Sequence, residues 1–212
     1  MRWKDMDQDQ IHKPKQKRSA LTKEKILDTA LKLFCQKGYY KVSTNEIARA
    51  SNISIGNLYF YFKNKDSIFL EILNRYHQSF LLIHDDFLHE MEYADEHPKQ
   101  FLRRLIEMII ANHENSRDLN REIQILSLSD ATVADVLKKQ QEQTENTVFC
   151  YFEKYRDKFQ VQDLEAAASI TFTLINSVVD QIVFSKNKIN RDRLLTETVN
   201  AVESYLMGNS YG

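Results

Sequence analysis

Residues 53–65 read ISIGNLYFYFKNK, and residues 59–62 of this stretch are four consecutive aromatic side chains. A surface helix buries one stripe of its circumference rather than all of it. At roughly 100° per residue, Phe62 returns to within about 40° of Leu58, so these two side chains are predicted to face the protein interior. Phe60 lies on the opposite side of the same helix. The pattern therefore predicts an exposed phenylalanine, with packing of Phe60 against the rest of the protein as the alternative.

The outer face of this helix has the chemistry of a nucleic-acid contact surface. Tyrosine hydroxyls and an asparagine amide can reach phosphate oxygens or base edges, and an exposed phenylalanine can contact a thymine methyl group. Gly56 costs about 1 kcal/mol relative to alanine in a helix, a cost that makes sense where another backbone approaches closely. The predicted contact residues here are Ser54, Ile55, Gly56, Asn57, Tyr59, Phe60 and Tyr61.

The residues before this helix predict a helix-turn-helix. Ser43 and Glu46 have the S-x-x-E spacing of a capping box, which starts a short helix over 43–50. Asn52 tolerates the left-handed conformation that a tight turn often needs. A second short helix over 54–62 completes two helices joined by a short turn.

Composition and periodicity favour an all-α fold. The 212 residues include only 4 Gly and 2 Pro, fewer than turn-rich β architectures use. No uninterrupted apolar run reaches the ~18 residues of a membrane span, and the polar start does not resemble a secretory signal. The chain has two cysteines and no CxxC motif, which indicates a cytoplasmic protein. Further helices are predicted at 22–37, after Asn64, and at 98–113, 118–128, 131–158, 163–185 and 191–207.

The charge is unevenly distributed along the chain. Residues 13–65 contain twelve basic and three acidic side chains, whereas the net charge of the whole chain is −1. A basic N-terminal quarter followed by an acidic remainder suggests one surface that binds a polyanion and a separate domain with a different function. The predicted domains are a polar, basic arm at 1–20, a DNA-binding domain at 21–66, and a larger helical domain at 67–212. The arm sequence KPKQKR at 13–18 either follows DNA or is a solvated tail.

Residues 22–73 resemble the DNA-binding domain of the tetracycline-repressor (TetR) family of bacterial regulators. The matching segments are TKEKILDTALKLFCQKGYYKVS, TNEIARASNISIGNLYFYFKNK and DSIFLEIL. The family pattern appears as Ile47-Ala48 in the second helix, as 54–62 in the third, and as Lys65-Asp66 opening the fourth. Asn52 replaces the glycine that the family usually has in the turn.

The resemblance implies a ligand-responsive transcriptional regulator, most often a repressor, that binds a palindromic double-stranded DNA operator as a homodimer. The third helix would enter the major groove, while Ser43 and Lys65 would contact phosphates. A small molecule bound in the C-terminal domain would release the protein from DNA. No cofactor is expected.

The C-terminal helices carry the predicted dimer interface and ligand site. Residues 166–184 are apolar around most of the helix, and the last helix has an apolar stripe, so both are candidates for a four-helix interface with a second copy. The interface prediction comprises Ala167, Ile170, Leu174, Leu195, Val199, Val202 and Leu206. Polar and aromatic residues among the middle helices suggest a largely apolar pocket with a few polar groups, and its predicted members are His84, Phe87, Asn112, Phe149, Phe152, Phe172, Asn176 and Asp180. For Asp180, an internal partner, a cationic ligand and a partner subunit are the three alternatives.

Other classes of function have weaker support in the sequence. No nucleophile elbow, P-loop, dinucleotide fingerprint or HExxH motif is present, so an enzyme is not predicted. A metal-responsive regulator would use His84, Asp85, Asp86 and His89, but two histidines five residues apart diverge on a helix. A ligand-independent DNA-binding protein with a purely structural C-terminal domain is the remaining alternative. The acidic body argues against non-specific DNA binding.

Overall fold

The computed structural model describes residues 8–89 and 97–208, and the side chains of residues 17–82 and 97–208. The described residues form nine α-helices and contain no strand, which confirms the all-α prediction. Two short 3₁₀ helices, Tyr39–Lys41 and Arg156–Lys158, lie between them. The α-helices are α1 (Gln8–Lys37), α2 (Thr44–Ala50), α3 (Ile55–Tyr61), α4 (Lys65–His89), α5 (Pro98–Asn115), α6 (Arg117–Ser129), α7 (Ala131–Lys154), α8 (Leu164–Phe184) and α9 (Arg191–Met207).

The chain divides into two compact units, Met1–Arg75 and Tyr76–Gly212. The division falls within α4, whereas the sequence placed the boundary between domains at residues 66 and 67. The first helix also begins earlier than predicted, at Gln8 instead of Thr22. Residues 8–21 include Pro14, which is unfavourable inside a helix, but half of them are Lys, Gln or Arg with high helix propensity, so a polar composition does not by itself exclude a helix.

The N-terminal unit is built around α1. Ile26, Leu27 and Phe34 of α1 are buried, as are Leu58 and Phe69 of the later helices. The rings of Phe34, Tyr39 and Phe69 contact one another with centroid distances of 5.2 to 5.9 Å. Such aromatic clusters contribute beyond their buried area, and this one fixes the loop between α1 and α2.

The C-terminal unit packs α8 against α5, α7 and α9. Its core includes Ile106 and Ile110 of α5, Val179 of α8, and Leu195 and Val202 of α9. The predicted helix over 131–158 ends at Lys154, and Arg156–Lys158 form a separate 3₁₀ turn. Asp130, Asp163 and Asn190 cap the N-termini of α7, α8 and α9 by accepting hydrogen bonds from backbone N–H groups.

Helix α8 is the one described helix with the length and mean hydropathy, 1.4, of a membrane span. Core helices of proteins in water pass the same test, and α8 contacts three neighbouring helices. Only 33% of its most apolar window is buried in the unit, so part of an apolar helix is left exposed.

Candidate DNA-binding surface and ligand cavity

Two capped short helices and a left-handed turn form the α2–α3 segment. The Ser43 hydroxyl accepts a hydrogen bond from the Glu46 N–H at 3.2 Å, and the Ser54 hydroxyl accepts one from the Asn57 N–H at 3.1 Å. Asn52 has a φ of 53°, as predicted for the turn. The Ile53 N–H donates to the Ala48 carbonyl at 3.0 Å, which closes the turn. The local sequence therefore fixes the angle between the two helices.

Helix α3 has the orientation predicted from its periodicity. Leu58 is fully buried and Phe62 is 4% exposed, whereas Phe60 is 77% exposed. Ser54, Ile55, Gly56 and Asn57 are exposed as well. A Cβ atom added at Gly56 would have no heavy atom within 4 Å. The glycine thus leaves open space beside the helix instead of relieving a contact inside the protein.

The aromatic residues of this face have defined neighbours. The Tyr59 hydroxyl lies 3.0 Å from the Thr44 hydroxyl of α2, which holds the half-exposed Tyr59 ring across the two helices. The Phe60 and Tyr61 rings meet edge to face, with centroids 5.1 Å apart. Sequence analysis did not select Thr44, although its position directly after the Ser43 cap was a signal that it lies on the same surface.

Lys65 makes contacts inside the protein. Its ammonium donates hydrogen bonds to the carbonyls of Tyr39 and Val42 at 2.9 and 3.0 Å, and it lies 4.1 Å from the centroid of the Tyr39 ring. Burial lowers the pKa of Lys65, and neighbouring Asp66 acts in the opposite direction. Lys65 therefore ties the start of α4 to the loop before α2. Its contact with phosphate stays a prediction.

Other charged side chains surround this surface. Glu46 pairs with Lys37, and the hydrogen bond from Lys37 is the largest cause of the lowered pKa of Glu46. The charge of Arg49 and the Ser43 N–H lower this pKa further, whereas burial acts in the opposite direction. Lys41, Arg49 and Lys63 are exposed. These cations near the α2–α3 segment agree with the positive charge calculated for residues 13–65.

The C-terminal unit contains a cavity of about 610 Å³. This volume lies in the usual range for small-molecule sites. Most of its wall is apolar or aromatic, with residues contributed by α4 to α9. Polar members of the wall include Tyr76, His77, His113, Asn120, Thr144, Asn176 and Asp180.

The cavity brings together half of the predicted ligand residues. Phe152, Phe172, Asn176 and Asp180 line it. Asn112 and Phe149 lie outside the lining, because Asn112 donates to the Ser79 hydroxyl at 3.1 Å and Phe149 packs against the core. The side chains of His84 and Phe87 lie outside the described residues, so their assignment is not tested.

One end of the cavity concentrates the titratable groups. Burial raises the pKa of Tyr76 to about 12, and its hydroxyl donates to the Asn120 side-chain oxygen at 2.9 Å. Burial also lowers the pKa of His113 and raises that of Asp180, while each group's charge acts in the opposite direction on the other. The Nδ1 atom of His113 and the hydroxyl of Thr171 are buried without a hydrogen-bond partner among the described residues. Sequence analysis missed Tyr76 and His113 because they belong to α4 and α5, far along the sequence from Asp180 on α8.

Most of the predicted dimer residues are buried within their own unit. Ala167 of α8 and all four predicted positions of α9 belong to the core, so they are unavailable to a second copy; these are Ala167, Leu195, Val199, Val202 and Leu206. Ile170 is 52% exposed and Leu174 is half-buried. The α9 stripe therefore packs inside the unit. Periodicity identifies a buried stripe without saying which chain covers it.

Comparison with known proteins supports the resemblance on the N-terminal segment. The sequence profile of the bacterial regulatory proteins, tetR family, matches residues 26–72. The transcriptional regulator QacR of Staphylococcus aureus is 52% identical over 52 residues, which cover 24% of this chain and 28% of QacR. The negative transcriptional regulator of the biofilm operon, IcaR of Staphylococcus epidermidis, is 32% identical over 87 residues, 40% of this chain and 45% of IcaR. The chain thus matches less than half the length of these relatives.

Solved structures extend the likeness to the whole fold. A protein from Saccharomonospora viridis, solved in complex with choline, superposes on this chain with a TM-score of 0.67 and a sequence identity of 21%. The superposition covers 90% of this chain and 100% of the Saccharomonospora viridis chain. At that identity the likeness concerns the fold. Residues 26–72 therefore match the bacterial regulatory proteins, tetR family, and the chain shares the all-helical fold of this solved structure.

Proposed function

We propose that this chain is a ligand-responsive transcriptional repressor of the cytoplasm. It binds a palindromic operator as a homodimer, and a small molecule in the C-terminal cavity releases it. The observation that carries the proposal is the exposed face of α3, where Gly56, Asn57 and Phe60 are accessible while Leu58 and Phe62 hold the helix to the core.

The α3 face suits a major groove in shape and chemistry. The groove is about 12 Å wide and admits one helix. The open space beside Gly56 allows the helix backbone to approach the DNA, and Asn57 and Phe60 project from the same side. The name of IcaR, a negative regulator, supports repression as the mode of action.

The proposed dimer surface is the exposed side of α8 together with that of α9. Exposed or half-buried residues recur along α8 at three- and four-residue steps and include an isoleucine and a leucine. On α9, exposed Ala201 and Tyr205 are one turn apart. The proposed surface comprises Ala166, Ile170, Thr173, Leu174, Ser177, Ala201 and Tyr205. Two of these residues, Thr173 and Ser177, also line the cavity.

The cavity supports release by a ligand. A purely structural C-terminal domain would close its interior, because protein cores are close-packed and large voids are costly. A space of about 610 Å³ lined by aromatic and polar groups is instead typical of a binding site. The Saccharomonospora viridis protein binds choline in the same fold.

The metal-responsive alternative gains no support. The side chains of His84, Asp85, Asp86 and His89 lie outside the described residues. Within the described part of the chain, no group of three or more His, Cys, Asp or Glu side chains could hold a metal ion.

Selection from a pool of random DNA duplexes tests the proposed function. The full chain should enrich an inverted repeat and bind it about 10³-fold or more tightly than random DNA at physiological salt. A double variant with Asn57→Ala and Phe60→Ala should lose this preference, and Asn146→Ala, an exposed change in α7, should keep it. A pool that shows no enrichment would contradict sequence-specific binding.

Association is tested on the protein alone by sedimentation equilibrium. Ile170→Glu should shift the chain toward monomer, because a carboxylate would be buried at the proposed interface. Ile125→Glu is the matched control: Ile125 is 46% exposed on α6, against 52% for Ile170, and lies outside the proposed surface. Equal association of both variants would rule out the α8 surface.

A further inference from the structure

The charges in the cavity wall are unbalanced. Three of its side chains are charged at neutral pH, namely Lys158, Asp180 and Glu203. Glu203 pairs with Lys99 at 3.2 Å, and Lys158 is exposed and lies 5.0 Å from the centroid of the Tyr155 ring. Asp180 has no ion pair within 4.0 Å among the described side chains. Its carboxylate is thus the charge in the wall that lacks a compensating cation.

Three aromatic rings of the cavity lining form a cluster. We define the ring cluster as Tyr76, Phe80 and His113, whose rings meet edge to face with centroid distances of 4.9 and 5.0 Å. The charge of Asp180 acts on the pKa of both Tyr76 and His113, which places it beside the cluster. Burial keeps Tyr76 and His113 in their neutral forms near pH 7. With its carboxyl ionised, Asp180 supplies the single negative charge of this group, although burial raises the pKa of that carboxyl.

Phe172 and Asn176 continue this surface along α8. They precede Asp180 by eight and four residues, so the three side chains share one face of the helix, and all line the cavity. A ligand lying along this face would contact a phenyl ring, an amide and a carboxylate in turn. An apolar body with one charged end matches that order.

Electrostatics selects the sign of the ligand's charge. Aromatic faces attract cations through their quadrupole, and the exposed carboxylate of Asp180, which has no ion pair among the described side chains, gains from an opposite charge. An anion at the same place would meet Asp180 and the negative ring faces. The competing hypothesis is an anionic ligand, which would contact Lys158 elsewhere in the cavity wall.

We propose that the cavity binds a lipophilic organic cation, with its charge between Asp180 and the ring cluster and its apolar body along the rest of the wall. This inference rests on the proposed function, because it names the ligand class of the same cavity. Asp180 sets the sign of the charge, and Phe172 and the ring cluster supply the apolar and cation–π contacts.

Three probes of similar shape and different charge test the proposal on the full chain. Isothermal titration calorimetry measures the affinity for tetraphenylphosphonium, tetraphenylborate and neutral triphenylphosphine oxide. The phosphonium should bind the wild-type protein most tightly. Asp180→Asn should lower the phosphonium affinity about tenfold, a change of ~1.4 kcal/mol, while the affinity for the phosphine oxide stays within about twofold.

Glu165→Gln provides the matched control, because it removes one carboxylate from an exposed position of α8 outside the cavity. It should leave all three affinities unchanged. Preference of the wild-type protein for the borate, no phosphonium binding, or an unchanged phosphonium affinity in Asp180→Asn would each overturn the proposal. Operator binding is measured in the same samples. A protein that binds its operator and the neutral probe but not the cation would refute only the ligand class, whereas failure to select any operator would refute the proposed function itself.

Discussion

Replacement of Gly56 by alanine should stabilise the protein and weaken its binding to DNA. Glycine in a helix costs about 0.5–1 kcal/mol relative to alanine, and an added methyl group at Gly56 would contact no heavy atom within 4 Å. The substitution therefore carries no steric cost in the free protein. For a chain of 212 residues, a gain of this size raises the melting temperature by about 1–4 °C.

The DNA complex should respond in the opposite direction. If α3 lies in the major groove with its glycine side against the duplex, the methyl group occupies space that the DNA needs. We expect an affinity loss of about tenfold, or ~1.4 kcal/mol, by fluorescence anisotropy on the selected operator. Opposite signs of the two effects distinguish a contact surface from a packing defect, which would lower both stability and affinity.

The control for Gly56→Ala is Asn146→Ala. Asn146 is exposed within α7, and its replacement also raises helix propensity without touching the α3 face. It should add a few tenths of a kcal/mol to stability and leave operator affinity unchanged. Undiminished operator binding by Gly56→Ala would show that the backbone of α3 stays away from the duplex, and the major-groove assignment would then be wrong.

Three further predictions concern single side chains. Phe60→Ala should change stability by less than about 1 kcal/mol and weaken operator binding, because this ring is 77% exposed; unfolding of the variant would instead assign Phe60 to the core. Lys65→Ala should destabilise the protein by about 1–2 kcal/mol in urea titrations, since it removes two hydrogen bonds to loop carbonyls, and an unchanged midpoint would refute that role. The affinity for tetraphenylphosphonium should fall as the pH is lowered from about 7 to about 4.5. Protonation of Asp180 removes a negative charge and protonation of His113 adds a positive one, while Tyr76 stays neutral. An affinity that is constant or rises would contradict the assigned site.

The N-terminal unit was largely predictable because its information is local. The cap at Ser43, the turn at Asn52 and the outward position of Phe60 follow from spacing within about twenty residues. The role of Lys65 was not predictable from the sequence. Its partners, the carbonyls of Tyr39 and Val42, are set by how the loop folds back on α4.

The C-terminal unit was less predictable because its site lies between helices. The chemistry of the side chains suggested Phe172, Asn176 and Asp180 as pocket residues, and these do line the cavity. It could not bring in Tyr76 or His113, whose proximity to that face depends on how α4 and α5 pack. The apolar stripe of α9 was correctly recognised as buried, but the covering residues belong to the same chain.

Helix α8 divides its circumference among three tasks. Ala167 and Val179 anchor it in the core, Asn176 and Asp180 line the cavity, and Ile170 remains exposed. Ligand binding in the cavity and dimerisation through the proposed surface would thus both act on the same helix. By thermodynamic reciprocity, a molecule that alters the pairing constant by some factor has its own affinity altered by that factor. Ligand titrations at low and high protein concentration would then give different apparent dissociation constants. The ratio of these constants would measure the coupling free energy between ligand binding and dimerisation.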